Sequence, residues 1–280
     1  MVKKMETGIA IAGGCVPKFA AIGVLRALDE EGITITHIGG TSAGSIVAAL
    51  YAYGYTSQQI EDAVSTMGKH HMDVNWSGII RRFCFFRRKL DGGVKGDKLQ
   101  SLLNRMTHDD LFSACQIPCA VAATDIRKKE PVVIASEEVA GYTTITNMPM
   151  DQAVRASSSI PVLYKPVRWG DHILVDGGLM RNCPVDVVKN LGAKHILAID
   201  PLSTFEEREP FEDMSTILNQ SMTILLEEQM KEEQDSADIC LKPNLGDVGL
   251  FDYDKISDCI EVGYQYTKEH IKDILTSLMK

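Results

Sequence analysis

The chain has 280 residues, of which 45% are hydrophobic and 24% charged, with a formal net charge of -9. This length can bury a large core, and the acidic balance excludes nucleic-acid binding through a globally basic surface. The seven cysteines form no C-x-x-C pair, and Cys115 and Cys119 have no histidine in zinc-site register; reduced thiols of a cytosolic protein are expected rather than a disulfide framework or a structural zinc.

In chain order, "MVKKMETGIAIAGG" carries too short an apolar run for a cleaved signal peptide. No later segment reaches the apolar length needed to cross a bilayer. Residues 8–12 read as a buried strand running into the Gly13-Gly14 turn. Residues 18–32 read as a helix, with Ile22, Leu25 and Leu28 on one side and Gly32 as its stop. A β-branched strand at 33–39 leads into a small-residue helix at 42–54, and Thr56 with Gln59 forms a capping box for the next helix. Residues 70–95 are irregular, and "GDKLQSLLNRM" is helical. Strands follow at 117–125 and 131–136, and 172–178 is a strand running into a glycine turn. Pro184 opens a helix as its first residue, and 195–200 is a strand. A helix near 213–234, a strand at 237–243 and one helix over 254–278 complete the chain. Alternating strands and helices predict a single α/β domain over 1–280, with a mainly parallel central sheet and helices on both faces. In such sheets, sites form beyond the carboxyl ends of the strands.

Three strand ends carry chemistry-bearing turns. "GTSAG", Gly40 to Gly44, is G-x-S-x-G between a strand and a helix. A serine on so sharp a turn is pushed out of the sheet, the glycines remove clashing side chains, and the helix aims its N-terminal N–H groups at the same spot. Ser42 is thus a candidate nucleophile, or simply an N-cap. Asp176, followed by Gly177 and Gly178, ends another strand. It could accept the Ser42 proton, or bind its own backbone as a turn aspartate. His195 and His270 follow the serine in the chain order of a Ser–Asp–His triad, but only two strands precede this elbow. His172 and His195 begin strands, the wrong end of a parallel sheet. Gly13, Gly14 and Cys15 form a turn that can present N–H groups to an anion. It lacks both G-x-G-x-x-G and the P-loop pattern, which argues against dinucleotide or ATP binding.

The Gly13-Gly14 turn, the elbow, "RASSSIPVLYKPV" and "VDGGLMRNCPVD" occur in an order that resembles the patatin-like phospholipases, with "GVKGDKL", "IPCAVAATDI" and "SADICLKPNLG" adding to the likeness over most of the chain. The resemblance implies a three-layer α/β/α fold and a Ser–Asp dyad with Ser42 as nucleophile and Asp176 as general base. It further implies an oxyanion hole around Gly13, Gly14 and Cys15, no cofactor or metal, and a lipid or acyl-ester substrate. One departure lies in the oxyanion loop, which in that family reads G-G-G-x-(Arg/Lys)-G. Here Cys15 replaces the third glycine, Pro17 the basic residue and Lys18 the last glycine. Cys15 would be strained at φ > 0, Pro17 deletes an N–H, and Lys18 is either a displaced positive charge or a solvated lysine at a helix start.

"RRFCFFRRKL" places Arg81, Arg82, Arg87 and Arg88 around Phe83, Phe85 and Phe86 in an otherwise acidic chain. It suits a lid or interfacial segment within 70–95 that contacts a membrane peripherally, or a surface segment whose rings join the core. Three functions remain open: lipid acyl hydrolase, lipid-binding or interaction module of the same fold with impaired catalysis, and small-ester carboxylesterase.

Overall fold

The computed structural model describes residues 7–68, 94–202, 224, 230–231 and 233–278. The arginine- and phenylalanine-rich stretch at 81–90 lies outside the described residues, as does nearly all of the helix expected near 213–234.

The first strand, β1 (Thr7–Ile11), is followed by a 3₁₀ turn (Val16–Phe19) and α1 (Ala20–Glu30). Next come β2 (Ile35–Thr41), α2 (Ala43–Tyr53), α3 (Ser57–Ser65) and α4 (Asp97–Thr107). The central section holds β3 (Cys119–Asp125), β4 (Glu130–Ala135), β5 (Thr143–Ile145), α5 (Met150–Ser157), β6 (Val167–Trp169) and β7 (His172–Asp176). The remainder is α6 (Val185–Asn190), β8 (His195–Ile199), β9 (Ile239–Leu241), α7 (Ile256–Glu269) and α8 (Ile271–Leu278).

These strands form one sheet in the order β5-β4-β3-β2-β1-β8-β9, with β7 joined to β3 and β6 to β7. The β1–β2, β1–β8, β2–β3, β8–β9 and β4–β5 pairs are parallel; β3–β4, β3–β7 and β6–β7 are antiparallel. The strand alternation sorts side chains between two cores. Ile9, Ile11, Ile38, Val121, Ile134, Leu197 and Ile199 join the large core under α1, α2, α5, α7 and α8. The intervening small residues Ala10, Ala12, Ala120 and Ala198 face the other side, where α6 covers them with Val185, Val187 and Val188. Each fully buried Ile contributes roughly 1.5–3 kcal/mol relative to exposure. Helices thus cover both faces, as expected.

The capping box at Thr56 is present, with Gln59 N–H donating to the Thr56 hydroxyl and the Thr56 N–H donating to the Gln59 side chain. Several boundaries differ from expectation. The final helix is two, because the chain breaks at His270 (φ -100°, ψ 9°) between α7 and α8. Pro184 is the N-cap, at ψ 56°, rather than the first residue of α6. The strand at 172 does end at Asp176 and enter a glycine turn, as expected, and that turn is the 3₁₀ segment Gly177–Leu179. The strand expected over 33–39 occupies 35–41 and runs into the elbow. Strands β5 and β6 and helix α5 were not foreseen from the periodicity, since they are 3, 3 and 8 residues long.

Candidate active site

Strand β3 builds the site. One of its edges pairs throughout with β4. Its other edge is shared: Cys119 to Ala122 pair with β2, whose Thr41 lies opposite Ala122, and Ala123 to Asp125 pair with β7, whose Asp176 lies opposite Ala123. Strands β2 and β7 therefore approach head to head, and the residues at their meeting ends are Ser42 and Asp176. The antiparallel course of β7 also corrects the argument against His172, which lies at the same end of the sheet as the end of β3. His172 is set apart by position instead: it lies four residues from Asp176 along β7, about 13 Å of extended strand, with its Nδ1 2.8 Å from Asp125 Oδ2. His270 Nδ1 is 2.8 Å from the Tyr266 carbonyl, and its ring stacks on Tyr266.

Ser42 adopts φ 52° and ψ -122°, and its hydroxyl makes no capping bond to α2. The simple N-cap alternative therefore fails. This conformation costs of order 1–3 kcal/mol for a non-glycine residue, and three hydrogen bonds hold it. The Ser42 N–H donates to Ser157 Oγ at 3.0 Å, while the Ser42 carbonyl accepts from the Ser45 N–H at 2.9 Å and the Ser45 hydroxyl at 2.6 Å. Gly40 and Gly44 let the turn close: a Cβ on Gly40 would lie 2.3 Å from Gly44 O, and one on Gly44 would lie 2.6 Å from Ile11 O.

Asp176 is 6% exposed. Its N–H donates to Ser159 O at 2.9 Å, and its Oδ1 accepts from Gly178 N–H at 2.8 Å. That second bond is the turn role expected of such an aspartate, so both readings of Asp176 hold at once. Oδ2 is buried and has no hydrogen-bond partner. The Ser42 hydroxyl does not close a bond of ordinary geometry to the carboxylate, yet it is near enough to stabilise the charged form. Burial dominates, raising the Asp176 pKa to about 6 against the lowering effects of Gly178 N–H and the Ser42 hydroxyl. A carboxylate so tuned can take a proton near neutral pH.

Sequence reasoning gave no role to the serines of "RASSSIPVLYKPV". They turn out to hold both partners, Ser157 through the Ser42 N–H and Ser159 through the Asp176 N–H. Arg155, 3% exposed, braces this segment by donating to Ser159 Oγ and to the carbonyls of Lys95 and Lys165. The only available signal was the run of three serines itself.

In the glycine turn, the Gly13 N–H is engaged by Asn182 O at 3.0 Å, which removes Gly13 as an anion donor. The N–H groups of Gly14 and Cys15 donate to no acceptor among the described residues. Cys15 does lie at positive φ, 57°, and Gly14 at 143°. The Cys15 thiol, pushed up to about 12 by burial and by the Asp176 charge, stays protonated. Pro17 costs little, because it stands in the first turn of the 3₁₀ segment, where its N–H would be unpaired anyway. Lys18 is neither solvated nor a free cation: it is 7% exposed, paired with Asp200, and donates to Pro201 O at 2.7 Å.

Cys15 and Ser42 line a cleft enclosing about 440 Å³ of empty space, part of it open to solvent. Its other walls are mostly apolar, including Val16, Phe19, Ile46, Met67, Leu99, Ile160 and Phe251. Among the described residues no helix is long and apolar enough to cross a membrane.

The chain is similar to several known proteins. Patatin-like phospholipase domain-containing protein 6 of Homo sapiens is 24% identical over 93% of this chain. Lysophospholipase NTE1 of Debaryomyces hansenii is 28% identical over 73% of it. The chain spans only 20% and 12% of those two relatives. Among solved structures, VipD from Legionella pneumophila superposes with a TM-score of 0.56 at 17% identity, covering 97% of this chain and 67% of that one. Human GIVD cytosolic phospholipase A2, complexed with methyl gamma-linolenyl fluorophosphonate, gives 0.50 at 13% identity, covering 98% and 60%. At these identities the two structures show the fold alone. The family model described as patatin-like phospholipase matches residues 9–189, and the chain belongs to that family.

Proposed function

We propose that this chain is a serine acyl-ester hydrolase acting on lipids, with Ser42 as nucleophile and Asp176 as its general base. The observation that carries the reading is the pairing itself. A strained serine hydroxyl, spared from capping, stands beside a buried carboxylate with one unpartnered oxygen and a pKa of about 6.

In this reading Ser42 Oγ attacks the ester carbonyl and its proton passes to Asp176. The carbonyl oxygen becomes an oxyanion facing the Gly14 and Cys15 N–H groups. Collapse breaks the ester bond, and the departing alkoxide takes the proton back from Asp176, leaving an acyl group on Ser42. A water then delivers a proton to Asp176 as it attacks the acyl carbonyl; the fatty acid leaves and Ser42 regains its proton. The apolar walls suit an acyl chain, which favours a lipid over a small soluble ester. The unspent N–H groups of Gly14 and Cys15 favour turnover over a binding module that has lost catalysis.

A fluorophosphonate probe tests the chemistry, and fatty-acid release from phosphatidylcholine and lysophosphatidylcholine vesicles tests the substrate. Labelling that disappears in Ser42→Ala, with fatty-acid release lost in Ser42→Ala and Asp176→Asn, is expected. Absence of labelling in the unsubstituted chain would sink the proposal, and turnover of short soluble esters alone would replace the lipid with a small ester.

A further inference from the structure

We infer that Lys18 is a positioning residue: its buried ion pair with Asp200 holds the Gly14–Cys15 segment so that the two free N–H groups face the Ser42 site. This rests on the hydrolase reading given above.

The segment needs holding. Gly14 and Cys15 are consecutive residues at positive φ, and a cysteine there persists only where its surroundings over-determine it. Three attachments fix the flanks: Gly13 N–H to Asn182 O at 3.0 Å, Val16 N–H to Leu250 O at 3.1 Å, and Lys18 N–H to Cys15 O at 3.1 Å. A fourth contact comes from the Lys18 side chain. Its stem runs against Gly14, where an added Cβ would meet Lys18 Cε at 2.7 Å.

The far end of that stem is anchored on the central sheet. Lys18 Nζ pairs with Asp200 Oδ1 and donates to Pro201 O at 2.7 Å. Asp200 directly follows β8; its N–H donates to Leu241 O at 2.9 Å, and its Oδ2 accepts from Gln234 Nε2 at 2.6 Å. Both charged groups are buried, Lys18 at 7% and Asp200 at 1% exposure.

A buried ion pair is a weak source of stability, because desolvation offsets the Coulomb attraction, and uncharged replacements of similar volume are often neutral. Its value lies in direction: it fixes where a long, flexible side chain runs. The pair also neutralises the ammonium, so Lys18 does not itself act as the oxyanion's counter-charge. The chain thus carries a lysine strut where the family's loop has its last glycine, and a strained cysteine where it has its third.

The test is a double substitution. Lys18→Met alone strands Asp200 as a buried unpaired carboxylate, so Lys18→Met/Asp200→Asn is the informative variant. With a soluble p-nitrophenyl ester, its kcat should fall about 10- to 100-fold with KM nearly unchanged, a fraction of the loss seen when an oxyanion donor is removed outright. The pH midpoint of kcat/KM should not move, because Asp176 is untouched. Adding Cys15→Gly, which removes the strain the strut opposes, should recover part of the rate. Hydrogen exchange over residues 13–19, read without substrate, should quicken in the double variant. A kcat within threefold of the unsubstituted chain, or a loss that Cys15→Gly does not relieve, overturns the inference. Unchanged exchange overturns it even if the unsubstituted chain proves not to be a hydrolase, which the fluorophosphonate probe reports separately.

Discussion

Thr41 and Asp176 occupy neighbouring rungs of one strand: Thr41 lies opposite Ala122 of β3, and Asp176 opposite Ala123. The parallel β2 and the antiparallel β7 share a single edge and end against each other. The separation of Ser42 and Asp176 is therefore set by backbone pairing rather than by flexible side chains. In the proposed mechanism, such a placement holds the reacting groups in register without cost at the moment of reaction.

That register is vulnerable at Gly177. A Cβ there would lie 2.4 Å from Ala122 O, a backbone atom that cannot step aside. Gly177→Ala should displace the turn that follows Asp176, lowering kcat/KM by at least about tenfold and stability by about 1–3 kcal/mol. Urea unfolding and ester turnover measured on the same preparation check this. An unchanged rate would show that the Asp176 position does not depend on this contact.

Asp176 predicts opposite changes in activity and stability. Its folded-state pKa of about 6 lies above the ordinary aspartate value of 3.8, so between those values the folded state binds more protons than the unfolded chain. Its carboxylate therefore costs nothing below about pH 4, and stability falls as pH rises through the window, with the full cost reached above about pH 6. Asp176→Asn cannot ionise and keeps an oxygen for Gly178 N–H. It should abolish turnover while raising stability at pH 7 by about 1–3 kcal/mol, or about 2–4 °C in Tm per kcal/mol. At about pH 4 the gain should vanish. Thermal melts of both proteins at the two pH values decide it; a variant less stable at pH 7 would contradict the burial argument.

In the unsubstituted chain the same titration should appear in the kinetics. The kcat/KM for ester hydrolysis should rise as pH passes through about 6 and then level, because only ionised Asp176 can accept the Ser42 proton. A profile without that rise, or a midpoint left in place by Asp176→Glu, would point to a different base.

Much of this was legible in the sequence because its signals are local. Gly40, Ser42 and Gly44 announce a strained elbow by spacing alone, and Thr56 with Gln59 announces a cap. The α/β alternation predicted helices on both faces of a mainly parallel sheet. What escaped was non-local. Nothing in the string "HILVDGG" says that β7 runs antiparallel, because that depends on its pairing with Ala123 to Asp125. Lys18 read as a helix-start lysine because Asp200, its partner, stands 182 residues away. Short elements such as β5 and β6 carry too few residues for a period to show, and only their neighbours fix them.

Adjacent serines on the α5 exit should behave differently. Ser157→Ala removes the acceptor of the Ser42 N–H and leaves that amide buried and unpaired, which costs about 1–3 kcal/mol. The elbow should loosen and kcat should drop about tenfold or more. Ser158 Oγ is buried without a partner, so Ser158→Ala should be neutral or stabilising by up to about 1 kcal/mol. Urea midpoints for the two variants, set beside their rates, test the contrast. Equal destabilisation would mean that the Ser157 contact does not support the nucleophile.

Cys15 offers the last prediction, and it bears on whether the unusual loop is impaired. The residue already occupies φ 57°, the conformation a glycine would favour, and its N–H is unspent. With Lys18 in place, Cys15→Gly should therefore leave kcat within about threefold, since it neither adds nor removes a donor. Stability reflects two opposed effects: strain relief of about 1–3 kcal/mol against roughly 0.5–1 kcal/mol of added chain entropy. The net should be a gain of about 0–2.5 kcal/mol. The thiol, pushed up to about 12, should react slowly with iodoacetamide at pH 8, because almost none of it is thiolate. Peptide mapping after alkylation measures that reactivity directly. A tenfold or larger rise in kcat for Cys15→Gly would show instead that the cysteine holds the donors off their target, and that the loop limits the rate.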